Sequence, residues 1–366
     1  MRKAVYYGEY LQLGKLLDSQ QRESFSAGRP AHDEMLFIIV HQAYELWFKQ
    51  ILFELDAVMD IFRKDNISEN SVAQAVFHLG RIKEIQKLLI QQIDVLETMT
   101  PLDFLDFRDF LVPASGFQSW QFRLIETSLG LKQDNRVTFG NSSYLDRLEG
   151  DDRKRLEAAE QHPSLFDLIE RWLERTPFLD LDDFRFWDMY RTAVTHMLDS
   201  DAELVSNNPT LNAEDAEKQL KMLAKTREEF AVLFDETEHA KLQAEGHWRL
   251  SHKALQAALL IQLYRDQPIL HMPYKVLSLL MDIDENFTTW RYRHSLMVLR
   301  MIGSKIGTGG SSGHDYLRQT ARTHKVFGDF FAMSTFYIPR STLPELPQDI
   351  QDKLNFHFST QHKAAS

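Results

Sequence analysis

Two histidines and an arginine stand where their side chains could do chemistry. His41 lies in a strongly apolar stretch, one helical turn after Phe37 and one turn before Glu45. His294 lies one turn after Trp290 and one turn before Val298. At helical spacing each shares a face with those neighbours. A histidine so placed is either a hydrogen-bonded member of the core or a neutral imidazole with a nitrogen free to ligate. The chain has no cysteine. Thiolate zinc sites, iron–sulfur clusters, thiolate-held haem, disulfides and cysteine nucleophiles are thereby excluded, and any metal must be held by His and carboxylate or arrive inside a cofactor. With thiolate gone, neutral imidazole is the obvious axial ligand for a haem. Arg291, Arg293 and Arg300 surround His294 in sequence, and such a set suits the carboxylates of a large anionic cofactor. Phe104, Arg108 and Leu111 fall on one stripe at helical spacing. An arginine between apolar neighbours either snorkels to water or offers its planar fork to a substrate carboxylate.

Other motifs fail on inspection. Asp282-x-Asp284-x-Asn286 opens like a calcium loop, but Phe287 stands where glycine is needed and Arg293 where the closing glutamate should be. The run Gly307-Thr308-Gly309-Gly310-Ser311-Ser312-Gly313 lacks the lysine and spacing of a phosphate loop. His247 and His252 are five apart, which does not set both on one helix face.

The elements that must position these residues read as helix almost throughout. Only 15 Gly and 11 Pro punctuate 366 residues, and they cluster at boundaries. From residue 32 to about 63, Met35, Phe37, Ile38, His41, Tyr44, Leu46, Phe48, Leu52, Leu55 and Met59 repeat at helical spacing. Ser71 with Gln74 resembles a capping box opening a second helix to about Met99. Thr100-Pro101-Leu102-Asp103 supplies a cap, a first-turn proline and a first-turn acid for a short helix to Leu111. Further helices are expected at Ser164 to Arg175, Asp182 to Leu204, Asn212 to Phe234, Ser251 to Arg265 and Pro273 to Ile302. The expected fold is all-α, one large helical bundle over residues 1–366, with charged peripheral inserts at 130–162 and 205–250. No domain boundary, repeat or low-complexity tract is visible.

A net charge of -11, from 42 basic and 53 acidic residues, argues against nucleic-acid or anionic-membrane binding, which need a basic face. No apolar run is of signal-peptide or membrane-spanning type. A soluble, cytoplasmic protein is the expectation.

Five blocks carry a resemblance: YGEYLQL (Tyr7 to Leu13), HDEMLFIIVHQAYELWFKQILFELD (His32 to Asp56), TPLDFLDFRDFL with PASGFQS (Thr100 to Ser119), LMDIDENFTTWRYRHSLMVLRMIG, and GTGGSSG. Together, in order, they resemble the tryptophan 2,3-dioxygenase family from about Tyr7 to Pro344. The resemblance implies an all-helical homotetramer, a dimer of dimers, whose bundle encloses a haem pocket. It implies haem b, active in the ferrous form, and insertion of both atoms of O2 across the indole C2–C3 bond of L-tryptophan to give N-formylkynurenine.

Site residues follow from the same resemblance. His294 matches the proximal ligand of the haem iron, with Trp290 beside it. His41 matches the distal histidine that meets the indole N–H, either as hydrogen-bond partner or as base. Phe37 packs on the indole, and Ile38, Ile39 and Val40 belong to the same substrate-lining segment. Arg108 matches the carboxylate clamp, with Phe104 and Leu111 on its stripe. Thr308 matches a residue holding the ammonium and carboxylate. Ser115 and Gly116 fall at a distal-pocket turn, and Tyr7 and Tyr10 in a segment that reaches a neighbouring subunit's site. His314 departs from the family's usual tyrosine. Monooxygenation of an indole derivative, haem or ligand binding without turnover, and non-haem metal chemistry are the competing readings.

Overall fold

Several helices of this chain begin where a side-chain oxygen takes an orphan backbone N–H. Thr100 Oγ1 accepts the Asp103 N–H at 3.3 Å while the Asp103 carboxylate accepts the Thr100 N–H at 3.0 Å, a reciprocal capping box in front of helix Pro101–Arg108. Asn212, Ser251 and Ser119 cap their helices by the side-chain half of this arrangement alone, each accepting a first-turn backbone N–H. Ser68 precedes helix Glu69–Leu96 and accepts the Ser71 N–H at 3.2 Å. That helix therefore opens at Glu69, and the box expected at Ser71 and Gln74 is displaced by an earlier serine with the same geometry.

The computed structural model describes residues 4–137, 145, 148–176, 186–305 and 313–354. Among them the fold is all-α, with no strand. They form two compact units: residues 1–58, 78–164 and 282–326 in the first, and 59–77, 165–281 and 327–366 in the second.

The first unit draws on the long helices Glu34–Phe62, Glu69–Leu96 and Pro268–Ile302. Its core includes Ile51, Leu55, Val58, Leu79, Ile82, Ile93 and Ile283, all nearly or fully buried. Buried polar groups join the helices where apolar packing alone would let them slide. The Tyr44 hydroxyl donates to the Leu89 carbonyl at 2.8 Å, Gln92 to the Val40 carbonyl at 2.7 Å, and Gln86 to the Ile283 carbonyl at 3.1 Å. Glu54, buried, accepts from Gln50, His78 and Arg81 at 2.6, 2.6 and 2.7 Å. The helices Pro101–Arg108, Trp120–Leu129, Gly150–Glu160 and Gly313–Thr323 also belong to this unit, with three short ones between Tyr7 and Ser26. The false calcium motif sits within helix, where Asp282 pairs with Lys83 at 2.8 Å and Asp284 accepts the Val326 N–H at 3.1 Å.

In the second unit, helix His252–Leu263 is buried on nearly every face and packs on helix Leu165–Glu174. Ser251 ties the pair, its hydroxyl donating to Glu174 at 2.6 Å and its N–H to Glu170 at 2.7 Å. Helices Phe186–Ser206 and Ala213–Ala231 pack together, and the Tyr190 hydroxyl donates to the Phe336 carbonyl. The helix expected from Pro273 starts at Pro268 and keeps Pro273 inside it. One missing N–H in the opening turns of a 35-residue helix removes a single ladder bond, and the remaining turns outweigh it. His252 donates to the Leu233 carbonyl at 2.9 Å, which assigns it to packing. No described helix is long and apolar enough to cross a membrane.

Candidate active site

A cavity of about 300 Å³ lies wholly within the first unit. It gathers Phe37, His41, Phe104, Arg108, Ser115, Gly116, Trp290 and His294 from four separate stretches of sequence. Its walls are mainly apolar, with Phe48, Ile93, Leu96, Met99, Phe122, Met297 and Met301 among them. Such a lining excludes water while leaving a few polar groups to fix orientation.

At one side, helix Glu34–Phe62 turns Phe37 and His41 inward. Their ring centroids are 4.1 Å apart, and Phe37 also meets Phe104 at 5.7 Å and Phe107 at 5.5 Å. Phe104 and Phe107 meet edge-on at 5.4 Å, so three phenyl rings hold the base of the slot in the favoured tilted and T-shaped arrangements. His41 Nδ1 lies 2.7 Å from the Phe37 carbonyl. A carbonyl only accepts, so the proton sits on Nδ1 and Nε2 keeps a lone pair. Withdrawal from solvent lowers the His41 pKa, against the raising pull of that carbonyl and of Glu45. His41 is therefore neutral near pH 7, with one acceptor nitrogen.

The second imidazole comes from helix Pro268–Ile302. His294 lines the cavity, its pKa pushed down to about 4 by burial and then by His41. Its Nδ1 is buried with no hydrogen-bond partner. Trp290 packs on it at 5.2 Å between centroids and on Phe122 at 5.1 Å. The Trp290 indole nitrogen is likewise buried and unpartnered. The Tyr44 hydroxyl, also on the wall, has its pKa raised to about 12 by burial.

Ser115 forms the second capping box of the site, accepting the Phe117 N–H at 3.4 Å and donating its own N–H to Gln118 at 3.0 Å. This fixes the turn that brings Ser115 and Gly116 to the wall. Gly313 packs so closely on Val298 that a Cβ there would lie 3.3 Å from Val298 Cγ1, which explains a glycine at that point. His314 donates through Nδ1 to the Ser295 carbonyl at 3.0 Å, tying helix Gly313–Thr323 to the His294 helix.

Not every expected residue reaches the cavity. Ile38, Ile39 and Val40 are absent from its lining, because successive helical residues turn by about 100° and only Phe37 and His41 share the inward face. Val40 is buried elsewhere and Ile39 is exposed. Leu111 is absent as well; it ends the 3-10 turn Asp109–Leu111 that follows the helix of Arg108. Tyr7 and Tyr10, each 75% exposed, stand away from the cavity of their own chain. Thr308 lies outside the described residues.

Sequence reasoning missed a second group on the wall, which stands beside the expected Arg291: Arg123 and Glu126 from helix Trp120–Leu129, and Tyr316, Thr320 and His324. The Ser119 cap and the apolar positions Phe122, Ile125 and Leu129 signal that helix. Nothing in one sequence separates its i,i+3 Arg–Glu pair from an ordinary surface pair.

The comparisons agree over nearly the whole chain. The family model described as tryptophan 2,3-dioxygenase matches residues 1–337. A tryptophan 2,3-dioxygenase of Bdellovibrio bacteriovorus is 54% identical over 354 residues, covering 97% of this chain and 99% of the relative. Those of Dictyostelium discoideum and Xenopus laevis are 48% and 47% identical, covering 98% and 94% of this chain and 90% and 85% of their own. With a family model over most of its length and relatives this similar, the chain belongs to the tryptophan 2,3-dioxygenase family.

Proposed function

We propose that this chain is a haem-dependent tryptophan 2,3-dioxygenase, inserting both atoms of O2 across the indole C2–C3 bond of L-tryptophan to give N-formylkynurenine, the first step of tryptophan degradation by the kynurenine route. The observation that carries the reading is one apolar cavity faced by two neutral imidazoles with different hydrogen-bonding states.

The residues present fit a haem. His294 offers a neutral ring, no competing hydrogen bond at its buried Nδ1, and apolar neighbours. Among the described residues no cluster of His, Asp and Glu could hold a bare metal ion, which suits iron carried in a macrocycle. His294 would hold its iron and Trp290 would pack beside it. Bound ferrous haem b supplies O2 activation.

The chain's own residues do the rest. His41 Nε2 accepts a hydrogen bond from the indole N–H, since its proton is committed to the Phe37 carbonyl. A weakly acidic N–H needs no full transfer, so His41 positions the indole by a hydrogen bond rather than as a base. Phe37 and Phe104 form the aromatic wall of the slot, Arg108 binds the substrate carboxylate bidentately, and the Ser115–Gly116 turn closes one side. Thr308 would share in holding the ammonium and carboxylate. Fixing the indole in this way is the entropic part of catalysis.

A cytoplasmic homotetramer, a dimer of dimers, belongs to the same reading. Ile39, Leu46 and Phe53 form a seven-residue stripe of exposed apolar side chains along one helix, and Tyr292, Leu296 and Leu299 form another. Apolar stripes of this kind favour a protein partner over water. Val5, Tyr6, Tyr7 and Tyr10 are all exposed, as suits an N-terminal segment that completes a neighbouring subunit's site.

An absorption spectrum of the reduced, oxygen-free protein, before and after tryptophan and O2, tests the reading. The expected result is a Soret band that shifts with tryptophan, disappears in His294→Ala, and accompanies a product carrying two labelled oxygens from labelled O2. A colourless protein after haem reconstitution, or a product with one labelled oxygen, rejects it.

A further inference from the structure

Three arginines and two carboxylates line the cavity: Arg108, Arg123, Arg291, Glu45 and Glu126. Glu45 accepts from Gln121 at 2.8 Å. Glu126, 3% exposed, is the hub of the others. Its Oε1 accepts from Arg291 at 2.8 Å, and its Oε2 accepts from Arg123 at 3.0 Å and Arg136 at 2.6 Å. Burial pushes the Glu126 carboxyl upward, but these guanidiniums and His324 outweigh it and hold the group well below the usual carboxylate range. His324 adds no charge: burial lowers its pKa, and its Nε2 accepts the Val137 N–H at 2.9 Å.

Even with Arg136 set aside, this wall sets two guanidiniums against one carboxylate. Arg123 and Arg291 are 5% and 4% exposed, and buried charge of one sign calls for an opposite charge nearby. Arg123 Nε is buried without a partner, and its Nη2 reaches only Tyr316, at 3.4 Å. A guanidinium has five donors, and here they are not used up. Of the three arginines that the sequence sets around His294, only Arg291 reaches the cavity; Arg293 pairs with Asp94 at 2.5 Å and Arg300 is exposed.

The placement identifies the ligand. Arg291 precedes His294 by three residues, about 4.5 Å along the axis and roughly 60° around it, so both serve one face of one helix. Arg108 belongs instead to the helix whose Phe104 and Phe107 pack on Phe37 beside His41. The cavity therefore has a cationic point near each imidazole. We infer that Arg123 and Arg291, spread on the two oxygens of Glu126, form a second carboxylate-binding subsite, separate from Arg108, whose occupant is the propionate edge of the porphyrin. This rests on the haem reading above. Glu126 is a positioning residue here, holding apart cations that would otherwise repel.

The test compares haemin with its dimethyl ester, in which both carboxylates are masked. The full chain is loaded with each, and loss to excess apomyoglobin is followed by the Soret band. The unaltered chain should release the ester roughly ten- to a hundredfold faster than haemin, the range expected for charge-assisted hydrogen bonds. Arg123→Gln and Arg291→Gln should release haemin faster and bring that ratio toward one, with the Soret position kept. Because either change leaves Glu126 with a lost partner, the pair Arg123→Gln with Glu126→Gln repeats the measurement without a stranded carboxylate. Equal release of both pigments from the unaltered chain, or an unchanged ratio in the variants, overturns the inference. Variants that keep the ratio but lose the tryptophan-induced Soret shift would assign the subsite to the amino acid instead. Failure to take up either pigment rejects the haem reading itself.

Discussion

At the scale of single residues, two neutral imidazoles share a cavity but have different hydrogen-bonding states. His41 has given its proton to the Phe37 carbonyl, while His294 Nδ1 has no partner. On the proposed function the first accepts the indole N–H and the second holds the haem iron, while Arg108 supplies the charge that a zwitterionic substrate requires. Arg108→Ala should lower kcat/KM by about 2–5 kcal/mol of transition-state binding, the cost of stranding a buried carboxylate; an unchanged kcat/KM would remove Arg108 from the clamp. These residues were legible in the chain because each stands at helical spacing from an aromatic neighbour. Arg123 and Glu126 were not, since a buried ion pair and a solvated one have the same spelling. Three guanidiniums converge on Glu126 from residues 123, 136 and 291, and only folding brings them together.

At the scale of elements, the helices follow from periodicity and caps, and the differences from expectation have local causes. Ser68 outcompetes Ser71 as the cap, and Pro273 is absorbed by a long helix. Periodicity also explains why Phe37 and His41 reach the cavity while the three residues between them do not. What periodicity leaves open is how the helices are joined, and Glu54 shows the answer. It links helix Glu34–Phe62 to helix Glu69–Leu96 through His78 and Arg81. Burial pushes its carboxyl up, but hydrogen bonds from His78, Arg81 and Gln50 outweigh that and leave its pKa below the ordinary value. A lowered carboxylate pKa stabilises the fold above the unfolded-state value and loses that stabilisation as pH falls through the folded one. Glu54→Gln should therefore lower stability by about 1–3 kcal/mol at pH 7. It should also flatten the decline of stability with acid below about pH 4.5. Urea unfolding at a series of pH values measures both, and parallel pH profiles for variant and parent would show that the link is not ionic.

At the scale of the whole molecule, apolar stripes on the first unit remain uncovered in a single chain. Leu46 and Phe53 are 53% and 70% exposed, so charge at these points costs the folded chain little, within about 0.5 kcal/mol. Leu46→Glu with Phe53→Glu should lower the mass seen by light scattering while circular dichroism stays unchanged. An assembly of undiminished mass would place the subunit contact elsewhere.

The chain as a whole is acidic, at -11, yet guanidiniums outnumber carboxylates on the cavity wall. Outside the cavity, within a Debye length of about 8 Å in physiological salt, an incoming dianion meets repulsion from the acidic surface; inside the cavity it meets its counter-charges. Capture and retention are thus governed by opposite fields. Added salt should ease the approach, and it has little purchase on a contact that water and ions do not reach.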